Sequence, residues 1–219
     1  MEKIVDINSK VWRNLYSQGK NDLLVPNDVF VRCARRYLNL SAPGKVLEYG
    51  FGTGANLIYL AQLGFEMAGV EISEHAVAKT QQRLQEKGVS ANLELLAADE
   101  PLPYETNTFD AVVAWQVLCY NDWESWHRAV KEIKRVLKSG GIFIGATAAP
   151  GDVSHQQAKC LGNSIYESNV EDQEGCILLI PKAEELPKCF PDERLIVGEF
   201  SYTIETTKAR HWTMVFKNS

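Results

Sequence analysis

The chain has 219 residues, of which 45% are hydrophobic, and its formal net charge is −5 at pH 7. This length predicts a single domain over residues 1–219 with a full core. The acidic balance argues against nucleic acid as a partner, because phosphate binding requires clustered lysines and arginines. No apolar run approaches the ~20 residues of a membrane span, and the first residues lack the apolar core of a signal peptide. We therefore expect a cytoplasmic protein without membrane contact, whose oligomeric state stays open.

Five cysteines are spread along the chain without a C-x-x-C pair. An odd number at wide spacing is unlike a disulfide framework or a zinc site. We expect reduced thiols and no metal. The five are Cys33, Cys119, Cys160, Cys176 and Cys189.

Two helices are predicted ahead of the first strand. Residues 4–18 carry apolar and aromatic side chains at helical spacing, and Gly19 is a typical stop signal. Residues 28–40 place apolar side chains on one face and arginines on the other. Residues 1–40 therefore form an N-terminal helical segment.

Residues 45–60 predict a strand, a tight glycine turn and a helix in direct succession. A short apolar segment ending at Glu48 precedes Gly50, Gly52 and Gly54, and helix-favouring residues follow. Glycine suits such a turn because the backbone visits positive φ and because a side chain would keep a ligand away from it. The helix start adds unpaired N–H groups, so a small molecule can be held here.

Two cofactor classes use a turn of this kind. Gly50, Gly52 and Ala55 satisfy the dinucleotide pattern G-x-G-x-x-G/A, with Glu71 at a distance suited to a ribose. Glu48 favours the other class. Its carboxylate would repel a pyrophosphate and attract the sulfonium and amino groups of S-adenosylmethionine.

The complete motif resembles E/D-x-G-x-G-x-G, the first motif of the class I S-adenosylmethionine-dependent methyltransferases. It consists here of Glu48-Tyr49-Gly50-Phe51-Gly52-Thr53-Gly54. The resemblance implies an α/β, Rossmann-like fold: a seven-stranded, mostly parallel sheet with a C-terminal antiparallel strand pair, helices on both faces and an N-terminal helical lid. It also implies S-adenosyl-L-methionine as cofactor, S-adenosyl-L-homocysteine as product and a small-molecule acceptor, with residues 45–149 as the cofactor-binding core.

Further residues are assigned by the same resemblance. Glu71, at the end of the predicted second strand, is the acid that binds the ribose hydroxyls, and Ile72 lies against the adenine. The alternative for Glu71 is an acid that stabilises the next helix start. Asp99 follows the third strand in a segment like the family's G-D-x-x-x-L-P-F and binds the adenine amino group, although Ala98 replaces the usual glycine.

Trp12, Tyr16 and Gly19 resemble the W-x-x-x-Y lid of methyltransferases that act on small molecules. A tryptophan shielding a sulfonium and a tyrosine hydroxyl near it suit such a site. The alternative is that both rings only pack the helix onto the sheet. Trp115, after the fourth strand, is expected to contact the methionine part of the cofactor. The alternative is that it only forms part of the wall of the site. Many relatives carry two histidines where this chain has Cys119 and Tyr120.

Residues 150–190 break the α/β alternation and are predicted to form a substrate-side insertion, because long connections in compact domains are usually functional. Residues 195–216 are predicted to form the two closing strands. Methyl transfer needs a protein base only when the acceptor must lose a proton. The candidates are His155, ranked first because it follows the fifth strand, Tyr16 and Tyr120.

The sequence therefore predicts an S-adenosylmethionine-dependent methyltransferase with a small-molecule acceptor, the methylated atom (O, N or S) being undetermined. Two alternatives stay open. One is a catalytically idle S-adenosylmethionine-binding or partner protein, because intact binding motifs do not establish turnover. The other is an NAD(P)-dependent oxidoreductase, which three carboxylates at successive strand ends disfavour.

Overall fold

A computed structural model of the chain describes residues 2–171, 173–191 and 193–219. Between residues 45 and 148, helices connect the successive strands except for β3 and β4, which are joined by a loop. The helices are α1 (Ile4–Ser17), α2 (Asp28–Tyr37), α3 (Ala55–Gln62), α4 (Glu74–Lys87), α5 (Trp123–Val136), α6 (Val153–Gln156) and α7 (Leu186–Cys189). The strands are β1 (Lys45–Tyr49), β2 (Glu66–Glu71), β3 (Ala91–Leu95), β4 (Phe109–Trp115), β5 (Leu137–Ala148), β6 (Ala158–Gly162), β7 (Ile165–Ser168), β8 (Ile177–Leu179), β9 (Ile196–Ile204) and β10 (Thr207–Lys217). Short 3-10 helices cover Leu118–Tyr120 and Ala183–Glu185.

Seven strands form one sheet in the order β3-β2-β1-β4-β5-β10-β9. The first five run parallel to one another, whereas β10 lies antiparallel to both β5 and β9. This confirms the predicted sheet with its closing antiparallel pair. The strand order reverses between β1 and β4, and in open α/β sheets ligands bind beyond the carboxyl ends of the strands at such a reversal.

The central strands are buried on both faces, which is why β4 is nearly all apolar. On one face Trp126 and Ile133 of α5 pack in a cluster with Phe143 of β5. On the other face Phe30 of α2 and Leu57 of α3 belong to the core. Helices therefore cover both faces of the sheet, as predicted.

The helix starts follow from their capping side chains. Ser73 accepts a hydrogen bond from the backbone N–H of Ala76 at 3.4 Å, and Asp122 accepts one from Ser125 at 2.7 Å. Ser139, Gly140 and Gly141 are typical of a helix stop, but α5 ends before them at Val136, and β5 begins at Leu137.

The glycines at the start of β5 produce an irregularity in the strand instead of a helix stop. The β4–β5 register shifts between Phe109, which faces Leu137, and Ala111, which faces Ile142. Gly140 has φ +78°, a conformation that side chains rarely adopt. An extra stretch of strand opposite fewer partner residues is the pattern of a bulge.

Residues 150–190 contain structure that the sequence did not predict. Strands β6, β7 and β8 form a separate antiparallel sheet. The apolar run at residues 177–180 supplies β8, which is fully buried. Beyond it, Leu186 and Phe190 join the core on the α5 face. This segment therefore packs against the main sheet through its C-terminal part.

In the described ranges, no helix is long and apolar enough to cross a membrane. The same ranges contain no group of three or more His, Cys, Asp or Glu side chains placed to hold a metal ion. All five cysteines are free thiols.

Candidate active site

A cavity of about 570 Å³ opens beyond the carboxyl ends of β1, β2 and β4. Residues of α1 and of the connection between α1 and α2 form its opposite wall, and Tyr202 of β9 reaches it from the sheet edge. Its floor is the glycine turn between β1 and α3. A cavity of this size at a strand-order reversal is the expected position of a small-molecule site.

The three glycine positions of the turn have no room for a side chain. Gly50, Gly52 and Gly54 all have positive φ, at +71°, +52° and +83°. A Cβ on Gly50 would lie 2.4 Å from Val117 Cγ2, and one on Gly52 would lie 2.7 Å from the Tyr16 hydroxyl oxygen. Gly50 and Gly52 line the cavity, whereas Gly54 does not and instead packs against Thr80. The turn thus brings bare backbone to the cavity wall.

Glu48 lies at the centre of the cavity floor and is almost fully buried, at 2% exposure. The Asn56 side chain donates to Glu48 Oε1 at 2.9 Å, while Oε2 has no hydrogen-bond partner among the described groups. Burial raises the pKa of Glu48 to about 8, although hydrogen bonds from Asn56 and the Leu57 backbone oppose the rise. A buried carboxylate with an unused oxygen favours a cationic, hydrogen-bond-donating ligand.

Glu71, at the end of β2, is held by backbone groups. Its Oε2 accepts from Gly52 N at 2.9 Å, and its Oε1 accepts from Ile72 N at 2.8 Å and Ser73 N at 3.1 Å. Burial raises the pKa of Glu71, and these three N–H donors act in the opposite direction. The carboxylate therefore joins the glycine turn to the end of β2 and fixes the shape of this wall.

Asp99 lines the cavity after β3, with its backbone at φ +68°. Arg128 of α5 donates to its Oδ2 at 2.8 Å, and the Lys3 ammonium lies 3.7 Å from the same oxygen. Ala98 and Ile72 line the same end of the cavity. Three acidic side chains, each from a different strand end, thus line the cavity together, as predicted from the sequence.

Aromatic side chains form the wall contributed by α1 and by the segment after β4. The Trp12 ring lies 5.5 Å from that of Tyr16 and meets Tyr120 edge-on at 4.9 Å, measured between centroids. Trp115 also lines the cavity and stacks on Phe200. Burial raises the pKa values of Tyr16 and Tyr120 well above the usual range, so both hydroxyls stay protonated at neutral pH.

His155 and Cys119, by contrast, do not line the cavity. His155 lies in α6, where its Nδ1 faces Gly151 N at 3.3 Å and its ring meets Tyr166 edge-on. Cys119 is buried, and burial raises its thiol pKa to about 12. Because His155 lies in α6, outside the cavity lining, its position does not support the predicted role as a base.

Residues 46–141 match the family model of the methyltransferase domain. Within these bounds, which span less than half of the chain, the sequence is similar to methyltransferases. Over 108 residues it is 32% identical to a sterol 4-C-methyltransferase of Caenorhabditis elegans, an alignment that covers 49% of this chain and 32% of that protein. Over 101 residues it is 36% identical to a sarcosine/dimethylglycine N-methyltransferase of Halorhodospira halochloris, covering 45% of this chain and 36% of the relative.

The likeness in three dimensions extends over nearly the whole chain. A solved structure of the 1,6-didemethyltoxoflavin-N1-methyltransferase of Burkholderia thailandensis, holding 1,6-didemethyltoxoflavin and S-adenosylhomocysteine, superposes with a TM-score of 0.74. The superposition covers 98% of this chain and 88% of that one, at 14% identity, and shows a shared fold. The alignments with the two sequence relatives span only about a third of each relative's length.

Several residues that line the cavity were missed by sequence reasoning. They are polar or apolar residues outside any motif, brought to the cavity only by the fold. Among them are Asn8, Leu23, Val25, Gln116, Gln173 and Tyr202. Gln116, at φ +56°, directly follows β4, and this position after a buried parallel strand is the one signal that could have identified it.

Proposed function

We propose that the chain binds S-adenosyl-L-methionine in this cavity and transfers its methyl group to a small-molecule acceptor. The observation that carries the proposal is Glu48, a buried carboxylate with an unpartnered oxygen directly below a turn that exposes bare backbone. When bound, the cofactor supplies an activated methyl group on a positively charged sulfur, so the protein mainly aligns the acceptor and excludes water.

Each binding residue has a role that its surroundings support. Glu48 attracts the positive charge of the cofactor, and Glu71, already fixed by three backbone N–H groups, accepts from the ribose hydroxyls. Asp99, oriented by Arg128, accepts from the adenine amino group. Gly50 and Gly52 allow close approach, and Ile72 covers the adenine. Asp99, Ile72 and Ala98 share one end of the cavity, which suits a single heterocycle.

Trp12 and Trp115 enclose the other side, where Tyr16 and Tyr120 donate hydrogen bonds instead of acting as bases. This follows from their raised pKa values, which keep both phenols neutral. Because His155 lies away from the cavity, the proposal assigns no base to the protein. The acceptor is methylated through alignment and desolvation. Residues 1–40, as the lid, and 150–190, as the substrate-side insertion, complete the domain around the core at residues 45–149.

A polyanionic dinucleotide fits this cavity poorly. Its pyrophosphate would lie near Glu48, and no lysine or arginine from the described ranges lines the cavity to compensate. A cytoplasmic location without nucleic acid or membrane partners remains a prediction from the composition and the free thiols.

Calorimetric titration with S-adenosylhomocysteine, S-adenosylmethionine and NADH tests the proposal. We expect the two sulfur compounds to bind at one site per chain and NADH not to compete with them. A methyl-transfer assay against metabolite pools then tests turnover. Binding of NADH in place of S-adenosylhomocysteine would support the oxidoreductase alternative. Tight cofactor binding without turnover on any pool would support the idle alternative.

A further inference from the structure

The lining of the cavity divides by charge. All formal charge on its described residues comes from Glu48 in β1, Glu71 at the end of β2 and Asp99 after β3. These strands occupy one end of the sheet order, β3-β2-β1. The three carboxylates therefore lie together on one side of the cavity.

Another part of the lining comes from Trp12 of α1, the segment after β4, and β9. We call this part the uncharged half. It includes Trp12, Trp115, Gln116, Tyr120 and Tyr202, whereas the Tyr16 hydroxyl lies beside Gly52 on the carboxylate side. Within the ranges that the structure describes, the uncharged half contains no lysine, arginine, histidine or carboxylate. The buried Tyr120 hydroxyl remains neutral, as shown above. A ligand in this half meets rings, hydroxyls and side-chain amides.

The rim of the cavity is apolar and exposed. Leu23 and Val25, which line the mouth, are 62% and 72% exposed, and Leu24 between them is 78% exposed. Tyr202 completes this rim from β9 at 51% exposure. Large apolar side chains clustered at a cavity mouth mark a surface that gains free energy when an apolar ligand covers it.

The backbone of this rim is held by polar contacts. Arg83 of α4 donates to the carbonyl oxygen of Leu23 at 3.0 Å and pairs with Asp22 at 2.6 Å. The Thr53 hydroxyl donates to the same carbonyl at 3.3 Å. The apolar side chains are therefore held at the mouth by polar contacts on the protein side and remain available to a ligand.

Building on the proposed function, we propose that the methyl acceptor is an uncharged molecule with a flat, largely apolar body that lies in the uncharged half beneath this rim. Carboxylate- or phosphate-bearing acceptors are excluded. An anion buried there would lose its hydration without a cationic partner and would be repelled by Glu48 and Glu71. A protonated amine is disfavoured for a different reason, because it must lose a proton before it can react and no base faces it.

The chemistry balances without a protein base. The acceptor's lone pair forms the new bond to the methyl carbon, and the electron pair of the broken carbon–sulfur bond goes to sulfur. The positive charge thereby passes to the methylated acceptor, which releases a proton to solvent where it carried one on the reacting atom. The faces of Trp12 and Tyr120 stabilise the transient positive charge on the acceptor through cation–π attraction.

Matched probes on the S-adenosylhomocysteine-loaded chain test this inference. Methyl 2-naphthoate and 2-naphthoate share a flat ring system and differ in charge. Their binding is measured by saturation-transfer NMR with titration. We expect the ester to bind at least about tenfold more tightly than the carboxylate. Equal or tighter binding of the carboxylate, or absence of ester binding, would overturn the inference.

Two arginine variants on one strand provide the control. Tyr202→Arg adds a cation at the cavity mouth, whereas Ile204→Arg adds one two residues further along β9 at a 67% exposed position that does not line the cavity. We expect Tyr202→Arg to reduce the preference for the ester several-fold and Ile204→Arg to leave it unchanged. Equal effects of the two variants would contradict the proposed position of the acceptor.

The failure of this inference is distinguishable from failure of the proposed function. The calorimetric titration with S-adenosylhomocysteine tests cofactor binding on the same sample, and its absence overturns the proposed function. Cofactor binding combined with a preference for the carboxylate probe overturns the acceptor class alone.

Discussion

The Asn8 side chain forms two hydrogen bonds with the backbone of Ile177, one to its carbonyl oxygen and one from its N–H. Both are 2.8 Å long, and the same side chain also donates to the carbonyl of Tyr120 at 2.8 Å. One buried side chain thus joins α1 to β8 and to the 3-10 helix after β4. These are the elements that carry Trp12, Tyr16 and Tyr120.

Asn8→Ala is expected to lower the free energy of unfolding by about 2–3 kcal/mol, because it leaves buried backbone groups of Ile177 and Tyr120 without partners. It should also weaken S-adenosylhomocysteine binding several-fold, since α1 carries the aromatic wall. Denaturant unfolding and calorimetry measure the two effects. Asn14→Ala is the matched control on the same helix, because Asn14 is exposed and its side chain accepts a hydrogen bond from Gln18, the residue after α1. Equal losses in the two variants would contradict the linking role of Asn8.

Gly52→Ala is expected to weaken S-adenosylhomocysteine binding by at least about tenfold and to destabilise the fold by about 1–2 kcal/mol, the ordinary strain of a left-handed non-glycine residue. The added Cβ would lie 2.7 Å from the Tyr16 hydroxyl oxygen but 3.6 Å from the ring carbon that bears it. Calorimetry and thermal unfolding measure both quantities.

A second substitution separates the two causes of the Gly52 effect. Tyr16→Phe removes the clashing oxygen, so the double variant Gly52→Ala/Tyr16→Phe should be more stable than Gly52→Ala alone. It should still be less stable than the wild type, because the backbone strain at residue 52 remains. Gly88→Ala controls for the strain, because Gly88 has φ +66° and nothing within 4 Å of a Cβ. It should cost stability without changing cofactor binding. A double variant no more stable than Gly52→Ala alone would show that the hydroxyl contact is irrelevant.

The fold and the cavity could be predicted from the sequence only where neighbouring residues determine them. The motif around Glu48 and Gly52 encodes strand, turn and helix within a few residues, so both the fold and the acidic side of the cavity were predictable. Asn8 and Ile177 are 169 positions apart and belong to no motif, so only the folded chain brings them together. His155 illustrates the converse, because a position after the fifth strand does not fix the direction in which the chain continues, and the residue does not line the cavity.

The three-stranded sheet of residues 158–179 was unpredictable for another reason. Its strands are three to five residues long, and β6 is largely exposed, so it lacks the apolar alternation that identifies strands. The buried β8 alone gave an apolar signal. Such short strands depend on partners that lie elsewhere in the chain.

Glu48 should make cofactor binding depend on pH. Burial raises its pKa to about 8, and a cationic ligand favours the ionised form. Binding of S-adenosylhomocysteine should therefore tighten as the pH rises from about 6.5 towards 8 and level off above it. The amino group of the ligand also titrates near this range, so calorimetry must compare the wild type with Glu48→Gln. We expect the difference between them to grow with pH.

The ionisation of Glu48 should also change the stability of the fold, which decreases as the pH rises, whereas cofactor binding tightens. Below the ordinary glutamate value of 4.5 both states are protonated, and between there and about pH 8 only the unfolded chain ionises. The free energy of unfolding therefore falls as the pH rises through this window. Glu48→Gln should remove that part of the fall, as measured by denaturant unfolding at pH 5, 6.5 and 8. An unchanged pH profile in the variant would show that Glu48 ionises normally in the folded chain.

Arg128 allows the role of Asp99 to be tested without altering the cavity wall. Its guanidinium has two carboxylate partners, Asp99 at 2.8 Å, which lines the cavity, and Glu124, which is 85% exposed. Arg128→Met should release the Asp99 side chain and weaken S-adenosylhomocysteine binding about three- to tenfold, with a stability change under about 1 kcal/mol because the pair is partly exposed. Glu124→Gln removes the other partner and should leave binding unchanged, whereas Asp99→Ala should weaken binding at least as much as Arg128→Met. If Asp99→Ala binds S-adenosylhomocysteine as tightly as the wild type, the adenine contact assigned to Asp99 is wrong. If only Arg128→Met weakens binding, the arginine acts by another route, since the loss of Asp99 would then leave the cofactor in place.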